Sequence, residues 1–245
     1  MTPLTPKHRD TPLYEGKAKR IFATANPDEL LVEYKNSLTA FNALKKDSLE
    51  GKGELNNKIS SCLFQYLADN GVENHWLRQV DDIRQVVRSM TIIPVEVVVR
   101  NIATGSMSKR LGIEDGLKLA FPLVEYCYKS DALGDPLIIH DHAVLFGWAT
   151  DKQLGQIKQI SLEVNRLLTE LFDRLGIILV DFKLEFGLDS SGKLMLADEI
   201  SPDTCRFWDK QTMAKLDKDR FRQDLGDVLG AYREIWNRLQ KHFNL

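Results

Sequence analysis

The sequence predicts an α+β protein built as two lobes, and three observations carry that expectation. Segments with the two-residue period of a strand dominate the chain up to about residue 100. Apolar residues then recur at helical spacing from Ile157 to Leu175, and again from Phe221 to Leu239. A hairpin is interleaved between these two helical stretches, the order of elements expected of an α+β protein. At 245 residues the chain suffices for one large domain or for two small ones sharing a cleft.

Composition narrows the function classes. With 33 basic and 35 acidic residues the formal charge is -2, which does not suggest a nucleic-acid binder. The opening MTPLTPKHRDTPLYEGK is polar and holds three prolines, unlike a secretory signal, and no apolar run approaches membrane-spanning length. Cys62, Cys127 and Cys205 are odd in number and form no Cys-x-x-Cys pair, as expected of a reduced cytoplasmic protein without disulfides or zinc.

Taken in order, residues 1–12 read as a loose arm. From Leu13 to Ala23 the alternation puts Glu15, Lys17 and Lys19 on one side, and Gly16 permits close backbone approach. Such a glycine and lysine pair can close over nucleotide phosphates, although lysines on a strand face are more often simply solvated. Leu30 to Lys35 is the partner strand, after a turn at Asn26-Pro27-Asp28. Asn36 to Gly53, with Lys45, Lys46 and Lys52, reads as a long loop, and long ordered loops are uncommon unless functional. Ile59, Leu63, Tyr66 and Leu67 mark a packing face on a helix over Glu54–Asn70.

Trp76–Asp81 and Ile83–Val87 are short strands, and Ile92–Asn101 is a stronger, valine-rich one that ends in Arg100. Ser106 then opens a short helix, and a serine at a helix N-terminus with an arginine one loop away suits a phosphate dianion. The same residues would also make an ordinary helix cap beside a surface arginine. Leu123–Lys129 alternates again before a turn at Gly134-Asp135-Pro136. His140-Asp141-His142 has metal-ligand spacing but no further ligands to complete a zinc site. Thr150 and Gln153 form a capping box for the helix that ends at Gly176. After Trp208 the chain reads as helical to its end.

The stretch from Gly176 to Asp209 carries the chemistry. Phe182, Leu184 and Phe186 alternate with Asp181, Lys183 and Glu185, and Asp189-Ser190-Ser191-Gly192 turns the chain back towards Asp198-Glu199. An even loop would place Asp198 on the face of Glu185, whereas an odd one would present Glu199. Two opposed carboxylates with no His or Cys nearby suit magnesium. Plain cross-strand ion pairs on a half-exposed hairpin would show the same pattern. The polar segment Ser201-Pro202-Asp203-Thr204-Cys205-Arg206 then brings in an arginine, completing a set matched to a phosphate ester and its metal.

Four segments, YEGKAKRIF at 14–22, IIPVEVVVRNIATGS at 92–106, LVDFKLEFG at 179–187 and DEISPDTCRFWD at 198–209, resemble the SAICAR synthetases of purine biosynthesis. The resemblance runs from about residue 13 to the C-terminus. It implies a kinase-like antiparallel lobe at 1–90 that binds ATP phosphates and an ATP-grasp-like lobe at 91–245. The second lobe would hold carboxyaminoimidazole ribonucleotide (CAIR), magnesium and the catalytic residues. The implied reaction joins L-aspartate to the CAIR carboxylate while ATP becomes ADP and phosphate.

On that resemblance Gly16, Lys17, Lys19 and Lys129 bind ATP. Arg100, Ser106 and Arg206 bind CAIR, Glu185 and Asp198 hold magnesium, and Lys183, Asp181 and Glu185 form the catalytic group. Asp181 either accepts a proton or orients Lys183. Many relatives have aspartate where this chain has Asn42, which puts a charge-dependent role there in doubt. The sequence leaves a homodimer open. Two other classes are a small-molecule kinase, separable by whether ADP release depends on aspartate, and a non-catalytic nucleotide-binding regulator. The regulator should lack the carboxylate pair that Glu185 and Asp198 supply.

Overall fold

Alternation before residue 90 is realised as one antiparallel sheet. The computed structural model describes residues 11–40 and 44–245, so most of the expected arm and Asn42 lie outside the described residues. β1 (Tyr14–Glu15), β2 (Lys19–Ala23) and β3 (Glu29–Tyr34) are followed by an antiparallel pair, β4 (Ser37–Ala40) and β5 (Lys45–Ser48). Then come α1 (Lys52–Asp69), β6 (Trp76–Gln79) and β7 (Arg84–Arg88), and the sheet order is β1-β2-β3-β7-β6. Phe22, Leu31 and Val86 pack together on one of its faces, and Val32, Tyr34 and Val87 on the other.

The segment from Asn36 to Gly53 is therefore not a loop throughout. Its strands pair with each other, and α1 begins at Lys52, earlier than periodicity suggests. Tertiary contacts explain the early start. Asn36 Oδ1 accepts from Gly53 N at 3.0 Å, and a Cβ on Gly53 would lie 2.8 Å from the Tyr34 carbonyl oxygen, so the first turn docks on β3 only because residue 53 has no side chain.

The second sheet comes entirely from residues after 90. Its elements in order are β8 (Thr91–Ile102), α2 (Ser106–Leu111), β9 (Lys118–Tyr128), β10 (Leu137–Ile138), α3 (His140–Leu145), α4 (Asp151–Arg174), β11 (Ile177–Leu188), β12 (Leu194–Ala197) and β13 (Cys205–Asp209). Two helices follow, α5 (Asp219–Arg222) and α6 (Val228–Phe243). The strand order is β10-β9-β8-β11-β12, with β13 also paired to β11. Thr150 and Gln153 form the expected capping box at the start of α4.

The central strands are divided by face. Val95, Val97 and Val99 of β8 and Phe182, Leu184 and Phe186 of β11 are buried with Ile157, Val164, Leu168 and Leu171 of α4. Each such side chain contributes roughly 1.5–3 kcal/mol of hydrophobic stabilisation. Leu55, Ile59 and Leu63 of α1 join that same cluster with Tyr232, Ile235 and Leu239 of α6, so α1 shares the core of the second lobe while also packing on the first.

Beyond Trp208 the chain departs from the continuous helix expected. Asp209 closes a turn by accepting from the backbone N–H groups of Gln211 and Thr212 at 3.0 and 2.8 Å, and Met213 takes a positive φ of 58°. A single turn at α5 is separated from α6 by Asp224, Gly226 and Asp227, all at positive φ. Phe221 consequently packs with Leu38 in a satellite cluster, against which Leu49 and Val228 at the start of α6 also lie.

Candidate active site

A cavity of about 870 Å³ brings Lys17 and Lys19 together with Glu96, Arg100, Lys129, Asp181, Lys183, Glu185, Asp198 and Arg206. Gly16 and Ser106 also line it. β11 supplies the middle of this set. A bulge against β13 between Leu179 and Asp181 reverses the alternation there, so Val180 packs with Ile102 and Trp208 while Phe182 enters the core. From Asp181 onwards the charged residues line the cavity.

At one end a carboxylate joins two guanidiniums. Asp181 Oδ2 accepts from Arg100 at 2.7 Å and from Arg206 at 2.9 Å, and burial is near complete for Asp181 and Arg100. Arg100 also bonds Glu125 at 2.6 Å and donates to Ser106 Oγ at 3.1 Å; Arg206 bonds Asp219 at 2.8 Å. Burial acts to lower the Arg206 pKa, but Asp181 and Asp219 outweigh it and hold the guanidinium charged. Gly105 makes room for this arginine: a Cβ there would lie 2.7 Å from the guanidinium, and its φ of 59° is unfavourable for other residues. Ser106 is the first residue of a helix of only six, and Gly105 occupies the cap position.

The sequence left Asp181 between accepting a proton and orienting Lys183, and the structure gives it other partners. Its oxygens face the two arginines, whereas Lys183 Nζ bonds Glu96 and Glu185, each at 2.8 Å. Asp181 positions the arginine pair. Glu96 is a site residue that sequence reasoning missed, although it shares the facing of Arg100 along β8 and lies opposite Glu185 in the register.

At the other end lysines and carboxylates alternate. Glu185 pairs with Lys183 and Lys129, and Asp198 pairs with Lys19. Burial and the neighbouring Asp198 raise the Glu185 pKa, but Lys183 and Lys129 overcome them and keep it below the usual carboxylate value. Asp198 is likewise raised by burial but held low by Lys19 and Lys183. Lys183 stays charged well above the ordinary lysine range, because Glu185 and Asp198 outweigh its burial. Lys17 is half-exposed and bonds Asp131 at 2.6 Å.

The odd-loop expectation holds for Glu199, which lines the cavity, but Asp198 lines it as well. Leu188 pairs with Leu194, so the loop 189–193 is odd, and Ala197 lies opposite Glu185. Strict alternation would present Glu199. The strand ends at Ala197, however, and Asp198 adopts a positive φ of 64° that returns its carboxylate to the cavity. Glu199 Oε1 is also only 3.5 Å from Lys19 Nζ.

The donor set fits a magnesium ion, because Glu185 and Asp198 are hard oxygen ligands kept ionised in one cavity. Magnesium needs only one or two carboxylates when substrate phosphates and water complete its shell. His140, the first residue of α3, by contrast bonds Asp151 in the first turn of α4 at 2.9 Å, a contact apart from this cavity.

The family model described as SAICAR synthetase matches residues 12–239. A phosphoribosylaminoimidazole-succinocarboxamide synthase of Deinococcus deserti is 58% identical, covering 92% of this chain and 95% of that protein. The solved phosphoribosylaminoimidazole-succinocarboxamide synthase of Ehrlichia chaffeensis superposes with a TM-score of 0.92 at 48% identity, covering 94% of this chain and 98% of the other. A SAICAR synthetase (Type-2) in complex with ADP gives a TM-score of 0.90 at 45% identity, covering 93% and 97%. On the family model and on relatives this similar over nearly their whole length, the chain belongs to the SAICAR synthetase family.

Proposed function

We propose that the protein joins L-aspartate to the carboxylate of CAIR, using ATP and releasing ADP and phosphate. The observation that carries this reading is the division of one cavity: paired guanidiniums at one end, and lysines interleaved with ionised carboxylates at the other. Planar, bidentate donors suit a phosphate monoester, which assigns Arg100, Ser106 and Arg206 to the ribose phosphate of CAIR. Lys17, Lys19 and Lys129 take the ATP phosphates, exchanging carboxylate partners for phosphate oxygens. Ile21, Leu30, Val32 and Val87 form an apolar wall suited to a purine ring.

A carboxylate is a poor electrophile, since direct attack by an amine would have to expel oxide. Transfer of the γ-phosphoryl group to the CAIR carboxylate supplies a leaving group, and the aspartate amine then attacks the acyl phosphate. Glu185 and Asp198 would hold magnesium, which supplies charge neutralisation on the phosphates. Lys183, fixed by Glu96 and Glu185, keeps a positive charge beside the transferred group. Asp181 holds the two guanidiniums at the spacing in which they receive the substrate.

The test is an assay of ADP release with each substrate omitted in turn. ADP should form rapidly only with both CAIR and L-aspartate present, and SAICAR should appear in equal amount. Sustained ADP release with CAIR alone, leaving a stable phosphorylated product, would instead mark a small-molecule kinase.

A further inference from the structure

We propose that His75 is a positioning residue for Asp198: its Nε2–H holds the Asp198 carbonyl and fixes the left-handed turn that aims the carboxylate into the cavity. Nε2 lies 3.1 Å from the carbonyl oxygen of Asp198. A carbonyl can only accept, so Nε2 carries the hydrogen. The ring is 6% exposed and packs edge-on to Phe64, with centroids 5.2 Å apart at 67°. Burial, reinforced by Lys19, lowers the pKa to about 4 and keeps the imidazole neutral.

The backbone of His75 is fixed as firmly as its ring. His75 N donates to Leu196 O at 2.9 Å, Arg88 N donates to His75 O at 2.7 Å, and Asn74 pairs with Leu196 in a parallel bridge. The imidazole is thus held beside the end of β12, one residue beyond the last ladder pair of Glu185 with Ala197. There Asp198 adopts the φ of 64°, a conformation unfavourable for a non-glycine residue that persists when its surroundings enforce it. Without the donor, the turn could relax and the carboxylate would lose its aim at Lys19. Outer contacts that orient a metal ligand commonly change metal affinity by about 10- to 100-fold.

This inference rests on the proposed assignment of Asp198 to the metal, so the experiment measures both. Mn²⁺ binding in the presence of ADP is followed by electron paramagnetic resonance, without turnover, for the parent, Asp198→Asn, His75→Leu and His75→Gln. CAIR binding is measured by calorimetry for the same set. Gln places an amide N–H near the position of Nε2, whereas Leu has no donor. His75→Leu should weaken Mn²⁺ binding about tenfold or more, leave CAIR affinity within about twofold, and be largely rescued in His75→Gln.

Unchanged Mn²⁺ binding in His75→Leu, with Asp198→Asn impaired, would overturn the role of His75 alone. Unchanged binding in Asp198→Asn would overturn the metal assignment itself. Equal losses of Mn²⁺ and CAIR affinity in His75→Leu would show general packing and also overturn the proposal. Should His75→Leu fail to fold, His75→Gln decides, with parent-like Mn²⁺ binding expected and a loss as large as that of Asp198→Asn overturning it.

Discussion

Single residues in this cavity are set by partners remote in sequence. Glu185 is buried between Lys129 and Lys183, and those two ammonium groups keep it ionised against its burial. Glu185→Gln removes the shared partner of both lysines and the proposed magnesium ligand, so turnover should fall by roughly a hundredfold or more, the scale of losing one preorganised transition-state contact. Initial rates with magnesium titrated to saturation, alongside a thermal unfolding control, test this. Near-normal turnover would remove Glu185 from the site. Asp181 illustrates the limit of facing arguments. Alternation placed it beside Lys183, but only the approach of β8 and β13 on either side of β11 delivers the arginines that claim its oxygens.

At the scale of elements, the segment between β13 and α5 stores an ionisable group in an unfavourable place. Asp217 is fully buried; it accepts from Phe207 N at 2.8 Å and Asp219 N at 2.6 Å, tying α5 to β13 and holding Asp219 against Arg206. Burial and the charge of Asp219 push its pKa up to about 7 from 3.8. In the folded protein Asp217 therefore keeps its proton through a range in which the unfolded chain has lost it. The folded state binds more protons between those two values, so this contribution to stability falls as pH rises through that window. Its size is on the order of 4 kcal/mol at most. Asp217→Asn cannot ionise, so its stability relative to the parent should improve between about pH 5 and about pH 8 in urea unfolding. The loss of one acceptor is constant across that range, and a pH-independent difference would refute the assignment.

Across the whole molecule, the two lobes meet through charged side chains and one shared helix. Lys17 of the first lobe bonds Asp131, Lys19 bonds Asp198, and α1 contributes to the core of the second lobe. If the first lobe holds ATP and the second holds CAIR, variants on the two sides should separate in kinetics. Lys17→Ala should raise the apparent KM for ATP more than that for CAIR. Arg206→Lys should weaken CAIR, because an ammonium cannot keep both Asp181 and Asp219 while offering a bidentate face to phosphate. Matched changes for both substrates in either variant would contradict the division. The α+β class, the apolar faces of α1, α4 and α6, the capping box and the alternation that lines up Lys183 and Glu185 are all legible in the chain read residue by residue. Each of these follows from periodicity or chemistry within a few residues along the chain. Packing between distant segments is what makes residues 36–53 pair and dock, shifts the phase of β11 at Val180, and brings Asp198 to the cavity through a left-handed turn. The same packing brings His75 within hydrogen-bond distance of the Asp198 carbonyl. Such features depend on contacts between segments far apart in sequence, where local period carries no information about which side chain meets which.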